Sequence, residues 1–440
     1  NSSDLEVNIK IALAPVVAAG RLDTEGRNGF LAGMTDQVAA LCLRNNYLQT
    51  LAISLAERAG VAELPDHRVL IEGLEARGRL DRRVEFLPGD AALDQRAAEG
   101  KALTRPELAV ILAYAKLALF DDLLAGAAID DDYLAGELYR YFPEALHRAY
   151  PEAVRGHRLR REVIATVLAN AMINRGGPAF VSELTAATSA SPGEVALAYA
   201  ATRDAYELAR INAEIDALDG GVPGATQLAL YAEVEALLRQ ETLWFLRNAA
   251  VTQGLTELVA RHRVGVETLR GLAEGLLPAA GAAALRQRID TLTEQGVPEA
   301  LARRIGELPV IGHASDIVLV SERGEVDVAG GAAAYFGVAE LFDLFRIVGD
   351  GRAMVLGDRF DRMALDRALA NLTRSARDLT ADVLASGDGP VAERLARWQA
   401  GHAAGIARTV RAVGELTRGA VTVSRLSVAA GLLADLAQEG

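Results

Sequence analysis

Residues 104–119 read TRPELAVILAYAKLAL, and this stretch decides the fold class. Thr104 and Glu107 have the spacing of a reciprocal helix-start box, in which the threonine hydroxyl covers an exposed amide and the glutamate carboxylate reaches back to the cap amide. Pro106 lies in the first turn, where its missing N–H costs nothing. From there Leu108, Ile111, Leu112, Ala115 and Leu119 recur three and four apart, which puts them on one face of a helix. The same start signature recurs at Ser191, Pro192 and Glu194. A third apolar stripe, Leu159, Val163, Ile164, Val167, Leu168, Ala171 and Met172, runs on until Gly176, Gly177 and Pro178 break it. The expected fold is mainly α and multi-helical, with little or no β-sheet.

Only residues 317–320 and 326–328 have the short β-branched character of strands, with Gly324 between them. An internal similarity argues for helix there instead. The stretch from Gly193 to Ile211 resembles the one ending at Ile347, with Tyr199 matching Tyr335, Tyr206 matching Phe342, Leu208 matching Leu344 and Arg210 matching Arg346. Each copy leads through a loop into a long amphipathic segment, at about 225–247 and about 358–384. Two copies predict a duplicated helical hairpin unit rather than a stacked array, which needs three or more. Tyr199 and Tyr335, with Tyr206 and Phe342, are then expected at equivalent buried positions.

With 440 residues and 51% hydrophobic content, the chain has enough apolar material for sizeable cores, and 24% charged residues exclude a disordered chain. The formal charge of −13 opposes nucleic-acid binding. No stretch reaches the roughly 20 charge-free apolar residues of a membrane helix; the longest, residues 108–119, carries Lys116. Cys42, the single cysteine, favours a reducing compartment, and the expected location is cytoplasmic. The chain begins at Asn1 without an initiator Met or a signal-like segment, and is expected to be a piece of a longer polypeptide.

The usual chemical signatures are missing: no phosphate-cradling loop, no His-Glu-x-x-His and no nucleophile elbow. Gly349-Asp350-Gly351 reads as a tight turn. The six histidines lack i,i+4 pairing, so no metal site is expected. His313, Ser315 and Asp316 read as a capped helix start rather than a triad, and Asp130-Asp131-Asp132 as helix-capping acids. Three polar clusters interrupt otherwise apolar helices: Asn45-Asn46-Tyr47 with Gln49, Asn170 with Asn174 and Arg175, and Trp244 with Arg247 and Asn248. Buried amides need partners, which favours structural stapling between helices. The other reading is that Arg175 or Arg247 receives a carboxylate through its bidentate fork.

Residues 1–11, NSSDLEVNIKI, strongly resemble the DCSDHEVNIKI segment of the very large bacterial NAD-specific glutamate dehydrogenases, with Leu5 in place of the family's His. Further segments are similar to that family in the same order: 34–49, 105–110, 159–175 and 244–248. The resemblance implies a helical C-terminal portion that follows the catalytic fold. In this reading residues 1–62 are the tail end of the catalytic region, 63–155 a helical linker subdomain, and 156–440 a helical C-terminal domain containing the duplication. It further implies that Ser3 aligns with a serine contacting the substrate α-carboxylate; the plainer reading is that Ser3 caps or frays. By the same resemblance, NAD binds upstream, and this portion holds no catalytic, cofactor or metal residue and is inactive alone. Its expected partners are the upstream catalytic domain and further copies of itself, with no nucleic acid or membrane, and its role is assembly or regulation. The rival expectation is an independent helical scaffold or adaptor that binds a protein partner.

Overall fold

The computed structural model describes residues 1–354, 356 and 359–438, and among these there is helix and no strand. The helices that position the sites below are α1 (Ser2–Ala18), α2 (Thr24–Ala32), α3 (Thr35–Ala59), α4 (Leu64–Ala76), α5 (Arg105–Ala125), α6 (Arg160–Gly176), α7 (Phe180–Thr188), α8 (Pro192–Ala205), α9 (Leu208–Asp216), α10 (Gly224–Asn248), α11 (Ala314–Arg323), α12 (Val328–Leu341), α13 (Leu344–Arg352), α14 (Arg359–Ala385) and α15 (Val423–Gln438). Among the described residues, no single helix is long and apolar enough to cross a membrane.

The chain divides into two units, the first comprising Asn1–Asp204 with Gly224–Val259, the second Ala205–Pro223 with Ala260–Gly440. In the first, α5 begins as its sequence dictates: the Thr104 amide donates to Glu107 Oε2 at 2.7 Å, and Glu107 is further held by Arg96. The predicted stripe of Leu108, Ile111, Leu112, Ala115 and Leu119 is buried, and α5 packs along α6, whose Val163, Ile164, Leu168 and Met172 are buried in turn. Helices α3 and α4 pack on α5. At α8 the Ser191 amide donates to Glu194 Oε2 at 2.8 Å, and the Glu194 amide donates back to Ser191 Oγ at 3.2 Å.

In the second unit α14 and α15 pack along each other, and Leu372, Ala376 and Leu379 of the first and Leu426, Ala430 and Leu433 of the second are buried. Helix α13 lies close against this pair: a Cβ on Gly351 would meet Leu369 Cδ2 at 2.9 Å and Leu426 Cδ1 at 3.1 Å. Gly349-Asp350-Gly351 is therefore part of a helix and not the tight turn its composition suggests; Gly351 serves the close packing, while a Cβ on Gly349 would meet no neighbour. Residues 317–320 are likewise helical, in α11, and the strand reading gives way to the repeat.

That repeat is visible element by element. Helices α8 and α12 each have 14 residues, and α9 and α13 each have 9. Each pair starts 136 residues apart (192 to 328, 208 to 344). The break between the helices is the same in both copies: Glu207 at φ +54° and Asp343 at φ +55° sit in the left-handed region. Tyr199, Tyr335, Tyr206 and Phe342 are all buried. The long helices α10 and α14 complete the two copies, but their buried faces correspond at a different offset. Leu230, Val234, Leu238, Thr242 and Phe245 match Ala368, Leu372, Ala376, Thr380 and Val383 at 138 (368 − 230). The second copy thus carries two extra residues between Leu344 and Ala368 (24 against 22 from Leu208 to Leu230); of the segment expected from about 358, Asp358 lies outside the described residues.

Candidate functional site

Tyr47 and Arg175, which the sequence places on separate helices of the first unit, meet at α10. Tyr231, Glu235 and Arg239 stand at i, i+4 and i+8 on one face of that helix. Around Tyr231, the hydroxyl of Tyr47 from α3 lies 3.2 Å from the Tyr231 hydroxyl, and the Arg175 guanidinium from α6 lies over the Tyr231 ring at 5.6 Å. One residue before Arg175, Asn174 is buried.

One turn further along α10 the chemistry becomes ionic. Arg239 donates to the Gly176 carbonyl at the end of α6 at 3.0 Å, to Glu183 of α7, and to Glu235 at 3.4 Å; Glu63, the last residue of the turn Gly60–Glu63, lies 3.8 Å away. His67 of α4 is 1% exposed, and its Nε2 lies 3.5 Å from Glu63 Oε2. Burial, and then the negative charge of Glu63, pushes the Glu235 carboxyl up to about 8. Burial, and then the charge of Arg239, pulls His67 down to about 4. Gly177, at φ +87°, gives the chain its turn directly above this cluster, and a Cβ there would come within 3.4 Å of Glu235 Oε1.

A second buried network fixes the end of α8. Arg203 bonds Asp204 through two nitrogens at 2.8 and 2.7 Å and lies 2.8 Å from Glu137, whose side chain is 2% exposed. Arg140 lies 3.4 Å from both acids, and the Tyr133 hydroxyl donates to Asp204 at 2.9 Å. Burial opposes the charges here, yet the hydrogen bonds with Arg203 keep Asp204 below the usual carboxylate range.

The remaining sequence-selected residues fall elsewhere. Ser3 is exposed in the first turn of α1, whose cap is Asn1, with the Asp4 amide donating to Asn1 Oδ1 at 3.1 Å. Asn45 and Asn46 face outward on α3. Asn170 donates to its own helix at Thr166, 2.9 Å away. Trp244 is half-buried, while Arg247 and Asn248, at the last turn of α10, are exposed, and Asn248 donates to the Trp244 carbonyl at 2.9 Å. In the second unit His313, Ser315 and Asp316 diverge: Nδ1 of His313 is 3.2 Å from the Tyr335 hydroxyl, the Ser315 hydroxyl is 2.7 Å from that of Tyr206, and Asp316 accepts from Arg377 at 3.1 Å. Asp131 caps a short turn by accepting from the Tyr133 amide at 2.9 Å, and Asp130 pairs with Arg161. Among the described residues no group of three His, Cys, Asp or Glu side chains is placed to hold a metal ion. Glu63, His67, Glu183, Glu235 and Arg239 were not singled out from the sequence. The i,i+4 pairs Glu63/His67 and Glu235/Arg239 were the available signal.

The family described as "Glutamate dehydrogenase, C-terminal" matches residues 100–435, and that described as "Bacterial NAD-glutamate dehydrogenase, catalytic domain" matches residues 1–56. The NAD-specific glutamate dehydrogenase of Pseudomonas aeruginosa is 37% identical over 402 residues, which cover 91% of this chain and 25% of that protein. That of Halomonas elongata is 34% identical over 412 residues, with the same coverage. The Mycobacterium tuberculosis protein of the same name is 28% identical over 431 residues, covering 97% of this chain and 26% of its own length. The chain spans about a quarter of the length of the curated relatives it matches.

Proposed function

Because this chain belongs to the glutamate dehydrogenase C-terminal family, with the end of a bacterial NAD-glutamate dehydrogenase catalytic domain in front of it, we propose that it is the helical C-terminal portion of an NAD-specific glutamate dehydrogenase and serves its assembly or regulation. The parent reaction is oxidation of L-glutamate with NAD+ and water to 2-oxoglutarate, ammonium and NADH. The chemistry takes place outside this chain. A dinucleotide-binding fold is built on parallel strands, and the described residues form none, which supports placing NAD elsewhere in the polypeptide.

The observation that carries the reading lies in the stretch matched as catalytic domain. Helix α2 fully buries no side chain, and α3 fully buries none before Leu51; Phe30, Leu31, Val38 and Leu41 are half-buried, Phe30 edge-on to Tyr150 at 5.4 Å, and Leu43 is 69% exposed. Leu43 with the half-buried apolar residues beside it leaves apolar surface that a further cover would bury, and the rest of the catalytic region is the cover of matching origin. Cytoplasmic residence and homo-oligomeric assembly belong to the same proposal.

The test is to co-express the 440-residue chain with the remaining portion of the polypeptide and to ask whether the two elute together. Co-elution that Val38→Glu with Leu43→Glu abolishes is expected; a wild-type chain that elutes alone overturns the reading. In titration calorimetry the chain alone is expected to give no heat with NADH, and low-micromolar binding overturns the placement of the cofactor.

A further inference from the structure

Arg239 is the point at which four pieces of the first unit converge: the turn before α4 through Glu63, the end of α6 through the Gly176 carbonyl, α7 through Glu183, and its own helix through Glu235. The second copy of the repeat shows how much of this the fold requires. At the buried-face offset of 138, Arg239 corresponds to Arg377, which likewise reaches back to an acid on the helix that precedes its own copy, Asp316 on α11. The position of Glu235 there is Thr373, which donates to the Leu369 carbonyl at 3.1 Å and carries no charge. The same helical framework therefore stands with an uncharged residue at the Glu235 position, whereas the first copy places a carboxylate there, beside two further acids and a buried imidazole. Both ring nitrogens of His67 lack a hydrogen bond, and Nε2 is turned toward Glu63.

Three carboxylates surround the Arg239 guanidinium, and burial keeps His67 beside them neutral. With all three ionised they repel one another within one small, largely buried volume more strongly than in water. Arg239 and Glu63 act on Glu235 directly; the charged and titratable groups around them are His67 from α4 and Glu183 from α7 and, one turn back around Tyr231, Arg175 from α6 and Tyr47 from α3.

We propose that this cluster is a proton-operated brace: with a proton on Glu235, Glu63 and Glu183 share Arg239 and seat the turn before α4 against α7 and α10, and loss of that proton loosens the turn. The sign follows from the protonated form being the one the fold favours. Glu235 releases its proton at about 8 instead of in the ordinary range near 4.5, so the stabilisation is complete at low pH and is lost as pH rises through about 8. On the functional reading above, Glu63 and His67 lie in the connector between the catalytic-domain match, which ends at 56, and the C-terminal match, which begins at 100. The brace then sets how firmly the connector is seated on the helical region, and alkalinity releases it.

Amide hydrogen exchange of the 440-residue chain, corrected for the intrinsic pH dependence of exchange, tests this directly and independently of whether a catalytic portion is present. Wild type is expected to lose protection over residues 60–76 by about tenfold or more between pH 7 and pH 9. Glu235→Gln, which keeps the shape of the protonated acid, is expected to hold its pH 7 protection at both. Wild-type protection that does not change, or a Glu235→Gln protein that loses protection as wild type does, overturns the proposal. Should Glu235→Gln not fold, Glu63→Gln decides the matter. Without the neighbouring charge the alkaline loss must shrink and move to lower pH, and an unaltered loss overturns the brace.

Discussion

Glu207 and Asp343, 136 residues apart in the chain, hold the same left-handed backbone conformation at the same break between paired helices, at φ +54° and +55°. Neither residue is suited to it, since a side chain in this region crowds the following carbonyl. The Glu207 side chain offsets the strain by accepting from Arg270 at 2.8 Å. Among the described residues Asp343 pairs with Arg346, at the exposed surface, so its backbone strain is the larger consideration. Asp343→Gly is expected to raise the unfolding free energy by about 0.5–1 kcal/mol, and Asp343→Val to lower it by about 1–2 kcal/mol. Urea unfolding checks both, and a destabilised Asp343→Gly would refute the strain argument.

Tyr206 and Phe342 are equivalent, and the hydroxyl that distinguishes them lies 2.7 Å from that of Ser315 in a buried setting. Phenylalanine thus fits the position. Tyr206→Phe is expected to cost about 1 kcal/mol through the lost hydrogen bond alone. Combined with Ser315→Ala, the loss is expected to fall short of the sum of the two single losses by about 0.5–1 kcal/mol, measured as a double-mutant cycle.

His67 opposes acid. Unfolded, it takes a proton near 6.5; folded, not until about 4, so the unfolded chain binds more protons between these values and stability falls as pH drops from 6.5 toward 4. Glu235 acts in the opposite sense above 4.5, but it is common to wild type and a His67→Leu variant. His67→Leu is therefore expected to flatten the acid limb relative to wild type by up to about 1.4 kcal/mol per pH unit. Parallel acid limbs in thermal melts would count against a neutral buried imidazole.

Removing Arg203 is expected to be costly, because it leaves Glu137, 2% exposed, and Asp204 without their principal cation. Arg203→Ala is expected to lose about 3–5 kcal/mol. Adding Glu137→Gln to it is expected to recover part of that loss, as measured by chemical unfolding.

Helix was legible in the sequence wherever apolar spacing and caps coincide, as at Thr104 to Leu119, and the repeat was legible because its aromatic positions are kept at one offset. The β-branched residues at 317–320 misled in isolation, since branching favours strands only where a sheet exists to pair with, and here Ile317, Val318 and Val320 are buried against helices. Arg247 and Asn248 share the sequence signature of a buried cluster with Trp244, but in the last turn of α10 it is Phe245 that is buried, while Arg247 and Asn248 are exposed. Most of the Arg239 cluster was beyond reach. Its acids come from a turn and two helices separated by more than 50 residues from one another along the chain, and no local spacing reports that convergence.

The interleaving of the two units has a consequence for synthesis. The first unit is not complete until its segment Gly224–Val259 has been made, yet Ala205–Pro223, made just before it, belongs to the second. On the ribosome Tyr206, Leu208, Ile211 and Ile215, all buried in the finished protein, must wait for partners such as Ser315 that are translated about a hundred residues later. At roughly 5–20 residues per second, this greasy segment stays uncovered for several seconds in every nascent chain. A polypeptide started at residue 260 would never contain it, so the second unit cannot be produced by simple truncation without leaving a vacancy in its interior.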